Sequence, residues 1–276
     1  MQEIRFPGLH LNFSLSRVAF QIGTWEIYWY AILIVFALGL FLFTLKKRCK
    51  KYGLKQEDLL DLIIWLIPIS FLCARLYYVL FAFDQYQNNL LQIFNLRTGG
   101  LAIYGGMLGG IFTCYFFCKK RGISFLEVTD LIVPYLALGQ AIGRWGNFLN
   151  QEAYGTHTSL PWRMEIMQKG EWIGVHPTFL YESLADFFIF GILIYFERKR
   201  IFPGELTYLY LILYSFIRIG IEQLRTDSLL FFGVRISQIM SIFLFVICCT
   251  LLAKQLKKYT VSKKDDKIPL KKSHEI

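Results

Sequence analysis

Two uninterrupted apolar runs limit what this chain can become. IYWYAILIVFALGLFLFTL (27–45) and QIMSIFLFVICCTLLA (238–253) approach or reach the roughly 20 apolar residues that cross a bilayer. Backbone in hydrocarbon must satisfy its own N–H and C=O groups, so such runs demand helices. The same reading along the chain gives seven expected spans, at about 25–45, 59–83, 101–118, 124–149, 177–196, 204–224 and 233–253. The third and fourth are the weakest, because Gly and polar residues interrupt them. A content of 55% hydrophobic residues and a mean hydropathy of +0.43 agree. The expected fold class is all-α: a polytopic membrane protein with seven transmembrane helices. Residues 1–253 would form one transmembrane domain with outer loops at about 84–100 and 150–176, and 254–276 a basic tail. No cleavable signal peptide is expected, since residues 1–24 lack a basic stretch, an apolar core and a small-residue cleavage site.

The net charge of +10 is unevenly placed. Lys46, Lys47, Arg48, Lys50, Lys51 and Lys55 fall between spans one and two. Lys119, Lys120 and Arg121 fall between three and four, and Arg198, Lys199 and Arg200 between five and six. Lys254, Lys257, Lys258, Lys263, Lys264, Lys267, Lys271 and Lys272 follow span seven. Twenty of the 30 Lys and Arg therefore lie on one side. Positive residues stay in the cytoplasm, which predicts a cytoplasmic C-terminus and an outer N-terminus. The tail would also suit anionic inner-leaflet lipid. Basic residues divided among short loops do not suit nucleic acid. Cys49, Cys73, Cys114, Cys118, Cys248 and Cys249 lie within spans or beside their cytoplasmic ends. This predicts small apolar packing residues, with neither a disulfide framework nor a metal site. No cofactor is implied, and no internal repeat is visible.

Ionisable residues inside spans are costly unless paired or hydrated, so each is a candidate for function. With the predicted orientation, Arg218 lies about 21 Å into span six, Arg75 about 24 Å into span two and Arg144 about 30 Å along span four. All three fall toward the outer side. Glu182 is early in span five, and Tyr30 and Tyr104 are near the outer starts of spans one and three. Asp130 alone sits near an inner end. Polar groups from five or more helices thus converge at one depth.

In IRIGIEQLR, Arg218, Glu222 and Arg225 stand at i, i+4 and i+7, one stripe in which each Arg can pair with the central Glu. Arg144 and Asn147 stand at i, i+3 in GRWGNFLNQEAYG (143–155). GGLAIYGGMLGG contains two overlapping small-residue pairs, Gly105/Gly109 and Gly106/Gly110, a helix-packing signal. Pro177 suits a first helical turn, and His176 before it would suit a cap. Each feature alone also fits structural glue between helices, and Trp29 and Tyr30 also fit interfacial aromatics. The convergence is what glue explains poorly. Arg75, Arg144, Arg218 and Arg225 outnumber Glu152, Glu182 and Glu222, and an excess of guanidinium suits an anionic headgroup. Arg144 and Arg218 are the candidates for holding such an anion, with Glu152 and the amides beside them.

GRWGNFLNQEAYG is similar to the G-R-x-G-N-F-x-N-x-E-x-x-G signature of the prolipoprotein diacylglyceryl transferases. HPTFLYE resembles the family's H-P-x-x-L-Y-E block, and RIGIEQLRTD its R-x-x-x-E-x-x-R-x-D block. YWYAILIVFALG resembles its first helix and GGLAIYGGMLGG its glycine-rich start of the third, all in the family's order. The resemblance implies a seven-helix inner-membrane enzyme with its site facing outward. It would transfer diacylglyceryl from phosphatidylglycerol to the thiol of a prolipoprotein's lipobox cysteine, releasing glycerol phosphate. Carried over by position, the functional residues would be Tyr30, Arg144, Asn147, Glu152, Gly155, Arg218, Glu222 and Arg225. Where the family carries the His of an HGG block, assigned as the base, this chain has Tyr104. A phenol near pKa 10 is a poor base at neutral pH beside an imidazole near 6.5. Neighbouring Arg would lower it, the base would lie elsewhere, or the thiol would need little help. The rival reading is a membrane transporter for an anionic lipid or small anion, which would want ionisable groups at mid-depth.

Overall fold

The computed structural model describes residues 2–95, 99–226, 230–231 and 233–265. The last part of the basic tail, 266–276, lies outside them. Among the described residues there are seven long helices: α1 (Trp29–Tyr52), α2 (Gln56–Phe81), α3 (Ile103–Arg121), α4 (Phe125–Asn150), α5 (Thr178–Glu197), α6 (Glu205–Ile221) and α7 (Ile236–Asp265). Each coincides with one of the seven apolar segments. Five of them, α1, α2, α4, α5 and the Ile236–Thr260 part of α7, are long and apolar enough to cross a membrane. Their outward faces are greasy: Phe43 is 88% exposed, with Leu80, Phe188, Val35 and Ile64 also open. Apolar side chains left outward along such helices are what a lipid solvent would cover.

The chain is not all-α. Residues 2–28 and the segment 164–175 are largely strand: β1 (Gln2–Phe6), β2 (Leu11–Leu15), β3 (Val18–Ile22), β4 (Trp25–Tyr28), β5 (Met164–Gln168) and β6 (Glu171–Val175). A four-stranded antiparallel sheet has the order β2-β1-β5-β6, with Ile4 opposite Ile166 and Met164 opposite Val175. β3 and β4 pair as a hairpin that runs straight into α1. A two-residue ladder, β7 (Leu230–Phe231) with β8 (Val234–Arg235), precedes α7. The expected outer loop at 150–176 is thus partly sheet.

The chain divides into two compact units, Phe43–Leu131 and Met1–Leu42 with Ile132–Ile276. In the first, α2 packs on α3. A Cβ on Gly105 would lie 2.5 Å from the Cys73 carbonyl, and one on Gly109 would lie 2.6 Å from Cys73 Cβ. Gly105 and Gly109 are therefore the closely packed pair, while Gly106 and Gly110 meet only looser contacts near Ser70. Arg121 ties the other end, at 3.1 Å from Asp58 and 2.6 Å from Asp61 of α2. Five of the six basic residues expected between spans one and two sit on the last turns of α1, which runs on to Tyr52. Arg48 among them is buried and donates to the Leu131 carbonyl at 2.7 Å. Arg75 is also committed: it donates to the carbonyls of Gln92, Ile93, Asn95, Gly99 and Gly100 at 2.6–3.0 Å.

In the second unit, the sheet closes over the end of α4. Ile4, Phe6, Met164, Ile166 and Val175 bury against Phe148 and Phe179, whose rings stack at 4.6 Å. A second apolar cluster, Val133, Ala137, Ile189, Leu193, Leu206 and Tyr210, joins α4, α5 and α6. The polar site lies on these same three helices.

Candidate active site

The segment GRWGNFLNQEAYG does two jobs at once. Its first half is the last two turns of α4 and carries Arg144 and Asn147. Its second half leaves the helix and runs beside the residues that follow α6. Gly155 forms an antiparallel bridge with Arg225, Thr156 N–H donates to Leu224 O at 2.6 Å, and Gly155 N–H donates to His176 O at 3.0 Å. The bridge requires glycine. A Cβ at 155 would lie 2.7 Å from His176 Cβ, 2.9 Å from Thr178 Cγ2 and 3.0 Å from Leu224 O. Gly146 is equally constrained, because a Cβ there would run into the Tyr30 ring at the start of α1.

The centre of the polar cluster is Glu182 on α5, which is buried. Its Oε2 accepts from Arg218 Nη1 at 3.1 Å and pairs with Arg144 Nη2; its Oε1 accepts from Arg225 Nη1 at 3.1 Å. Arg218 Nη2 lies 2.6 Å from Glu222 Oε2 as an ion pair. Arg235 donates to the Glu222 carbonyl. Three chain segments therefore meet on two buried carboxylates, and a fourth reaches the Glu222 main chain through Arg235. Such pairs are stable only with good geometry and further hydrogen bonds, and a guanidinium fork supplies both.

The expected stripe is corrected in one respect. Arg218 and Glu222 do pair across one turn, but Arg225 turns to Glu182 instead. α6 ends at Ile221 and tightens into a 3₁₀ turn at Glu222–Leu224, so residue 225 has extended backbone. Helical spacing does not carry to it.

A second polar group lies one turn further along α4. Asn147 Nδ2 and Asn150 Nδ2 donate to Glu152 Oε1 at 3.0 and 3.1 Å. Glu152, Asn150, Tyr30, Ala31, Tyr28 and Arg17 line a cleft of about 340 Å³. Glu26 accepts the Tyr28 hydroxyl at 2.8 Å, and this hydrogen bond raises the phenol's pKa. Tyr104 belongs to the other unit, in the first turn of α3, where it is half-buried.

His176 does not cap α5 with its side chain; Pro177 holds the cap position. The His176 ring instead lies 3.4 Å from the Tyr181 hydroxyl, which accepts Trp162 Nε1 at 2.8 Å. Burial lowers the imidazole's pKa and favours its neutral form.

Two members of the cluster, Asp186 and Ser183, lie outside the candidate set. Glu182 was visible only as an acidic residue in an apolar span. Asp186, one turn on, is buried with Oδ2 lacking a hydrogen-bond partner among the described residues; its i, i+4 spacing from Glu182 was the available signal. Ser183 donates to the Ala141 carbonyl at 2.8 Å and accepts Trp145 Nε1 at 3.1 Å, fixing α5 against α4.

Comparison with known proteins adds the following. A family model described as prolipoprotein diacylglyceryl transferase matches residues 17–254. A phosphatidylglycerol–prolipoprotein diacylglyceryl transferase of Finegoldia magna is 45% identical over 92% of this chain and 100% of its own length. One of the same name from Clostridioides difficile is 46% identical over 83% of this chain and 90% of its own. One from Bacillus cereus is 43% identical over 85% and 90%.

Proposed function

The chain belongs to the prolipoprotein diacylglyceryl transferase family, and we propose how its polar cluster serves that transfer. The reaction moves diacylglyceryl from phosphatidylglycerol to a prolipoprotein. The acceptor is the thiol of the lipobox cysteine. Its sulfur forms a bond to the glyceryl carbon, the C–O bond to phosphate breaks, and glycerol phosphate leaves with the electron pair. The thiol proton passes to a base or to the departing phosphate.

Arg144 and Arg218 bind the phosphate and stabilise the charge that grows on the leaving oxygen. Arg225 and Glu222 hold that pair in place. Glu152, with Asn147, receives the glycerol hydroxyls, Tyr30 shapes the cleft wall, and Gly155 holds the backbone of Arg225. Tyr104 acts as a hydrogen-bond donor and not as the base. The convergence of three guanidinium groups from separate segments on one buried point carries this reading.

The seven helices each span the bacterial inner membrane, with the N-terminus outside, the C-terminus cytoplasmic and the site at the outer leaflet. Residues 1–253 act as one transmembrane domain, and the tail at 254–276 stays on the cytoplasmic face. The support is the bias of basic residues and the apolar outward faces. The test is a lipobox peptide incubated with the protein in phosphatidylglycerol vesicles. Expected is a mass gain of one diacylglyceryl group on the cysteine; an unmodified peptide, with lipid or anion moved across the vesicle wall, would establish transport instead.

A further inference from the structure

A carboxylate with three guanidinium partners is an anion site already filled. Glu182 uses both oxygens, one for Arg144 and Arg218, the other for Arg225. Its side chain is 5% exposed, against 18% for Arg144 and 16% for Arg218. The carboxylate is sealed behind cations that remain reachable. Among the described residues Arg144 makes no hydrogen bond beyond this pair. Beside them sits Asp186, buried and with one oxygen unanswered.

A phosphodiester presents the same features to arginine: two unesterified oxygens and one negative charge, matched by the same planar fork. We infer that Glu182 is a positioning residue that occupies the phosphate position until the lipid arrives, then yields its guanidinium partners to the headgroup. The inference rests on the proposed transfer reaction. Charge at the three guanidinium groups balances in the exchange, because one monoanion replaces another. Without an anion at that point the guanidinium groups would repel one another, so the placeholder keeps the site assembled while empty. It also competes with the product. Glycerol phosphate carries more charge than the substrate phosphodiester and would otherwise be held more tightly. Return of the tethered carboxylate drives it off.

The experiment compares wild type with Glu182→Gln in transfer assays, varying phosphatidylglycerol in phosphatidylcholine vesicles and adding glycerol phosphate as inhibitor. In Glu182→Gln, KM for the lipid and the inhibition constant for glycerol phosphate should both fall, the latter about tenfold, the scale of one charge-assisted contact. The kcat should fall with them, because product is retained. Glu182→Asp, which keeps the charge, should move all three back toward wild type. A folded Gln variant with lower thermal stability but unchanged inhibition would make Glu182 a strut between helices and overturn the inference. Should the Gln variant not fold, carbodiimide labelling of wild type decides. Modification at Glu182, located by peptide mass, should rise several-fold in phosphatidylglycerol over pure phosphatidylcholine vesicles; equal labelling overturns the inference. Absence of transfer by wild type would instead sink the transfer reading, and the labelling comparison would still judge whether the carboxylate is displaced.

Discussion

Arg225 Nη1 lies 3.1 Å from Glu182 Oε1, although 43 residues separate them in the chain. Gly155 bridges to the backbone of Arg225, which lies beyond the end of α6 at Ile221, and so helps fix where that residue sits. The glycine of one motif thereby sets the arginine of another.

Gly155→Ala tests that link. The added methyl would meet three neighbours at 3.0 Å or less, one of them backbone. Overpacking of this kind costs about 1–3 kcal/mol. Expected is a protein that still inserts and folds, with a lowered melting temperature and transfer reduced more than stability. Full activity at wild-type stability would show that the bridge does not govern Arg225.

Arg144→Lys and Arg218→Lys keep charge and lose the planar fork. If these groups meet the leaving phosphate, kcat should fall about 10²–10³-fold, the usual cost of one such donor. Folded protein recovered from membranes should change little. Near-normal turnover in both would reduce the two arginines to helix ties.

Tyr104→Phe separates base from binder. A lost hydrogen bond costs roughly 1–3 kcal/mol and leaves the shape of the pH–rate profile intact. That is the expected outcome. Complete inactivity of a folded Phe variant, together with an acid limb moved toward the imidazole range in Tyr104→His, would assign the phenol as the base.

His176 predicts a pH effect on stability. Its pKa is lower in the folded protein than the ordinary 6.5 because burial disfavours the imidazolium. The unfolded chain therefore binds the proton more readily as pH falls through about 6.5. The stabilising contribution is complete above that pH and is lost below it, down to the folded pKa. Thermal unfolding at pH 7.5 and 5.5 should show a smaller pH difference in His176→Gln than in wild type. Equal differences would place the pH sensitivity in other groups.

A reporter fused after residue 276 should read as cytoplasmic and one inserted at Asn88 as external. The opposite pair of readings would invert the proposed topology and with it the side from which lipid reaches Arg144.

The helices were legible because each is a local pattern of apolar residues. The sheet was not, since β1 and β2 are short and β1 pairs with β5, about 160 residues away. Arg218 and Glu222 were placed correctly by spacing because both follow helical geometry. Arg225 was misplaced because the helix stops at Ile221, and nothing in IEQLR announces that. The two overlapping glycine pairs could not be ranked from sequence. Only the register of α3 on α2 selects Gly105 and Gly109. Glu182 was seen, but its central place depends on three partners that no local window contains.

Arg75 has a different lesson for how such a protein can vary. Every hydrogen-bond acceptor it holds in the loop ahead of α3 is a main-chain carbonyl, at positions 92, 93, 95, 99 and 100. Main-chain oxygens are common to all twenty amino acids, so substitutions at 92, 93 and 95 leave the anchor's acceptors in place. The burden of identity falls on the arginine and on Gly100, where φ is +78° and a Cβ would lie 2.5 Å from Arg75 Nη1. This divides the region into a few positions that sequence change must leave alone and others, such as 92, 93 and 95, whose side chains the anchor does not read.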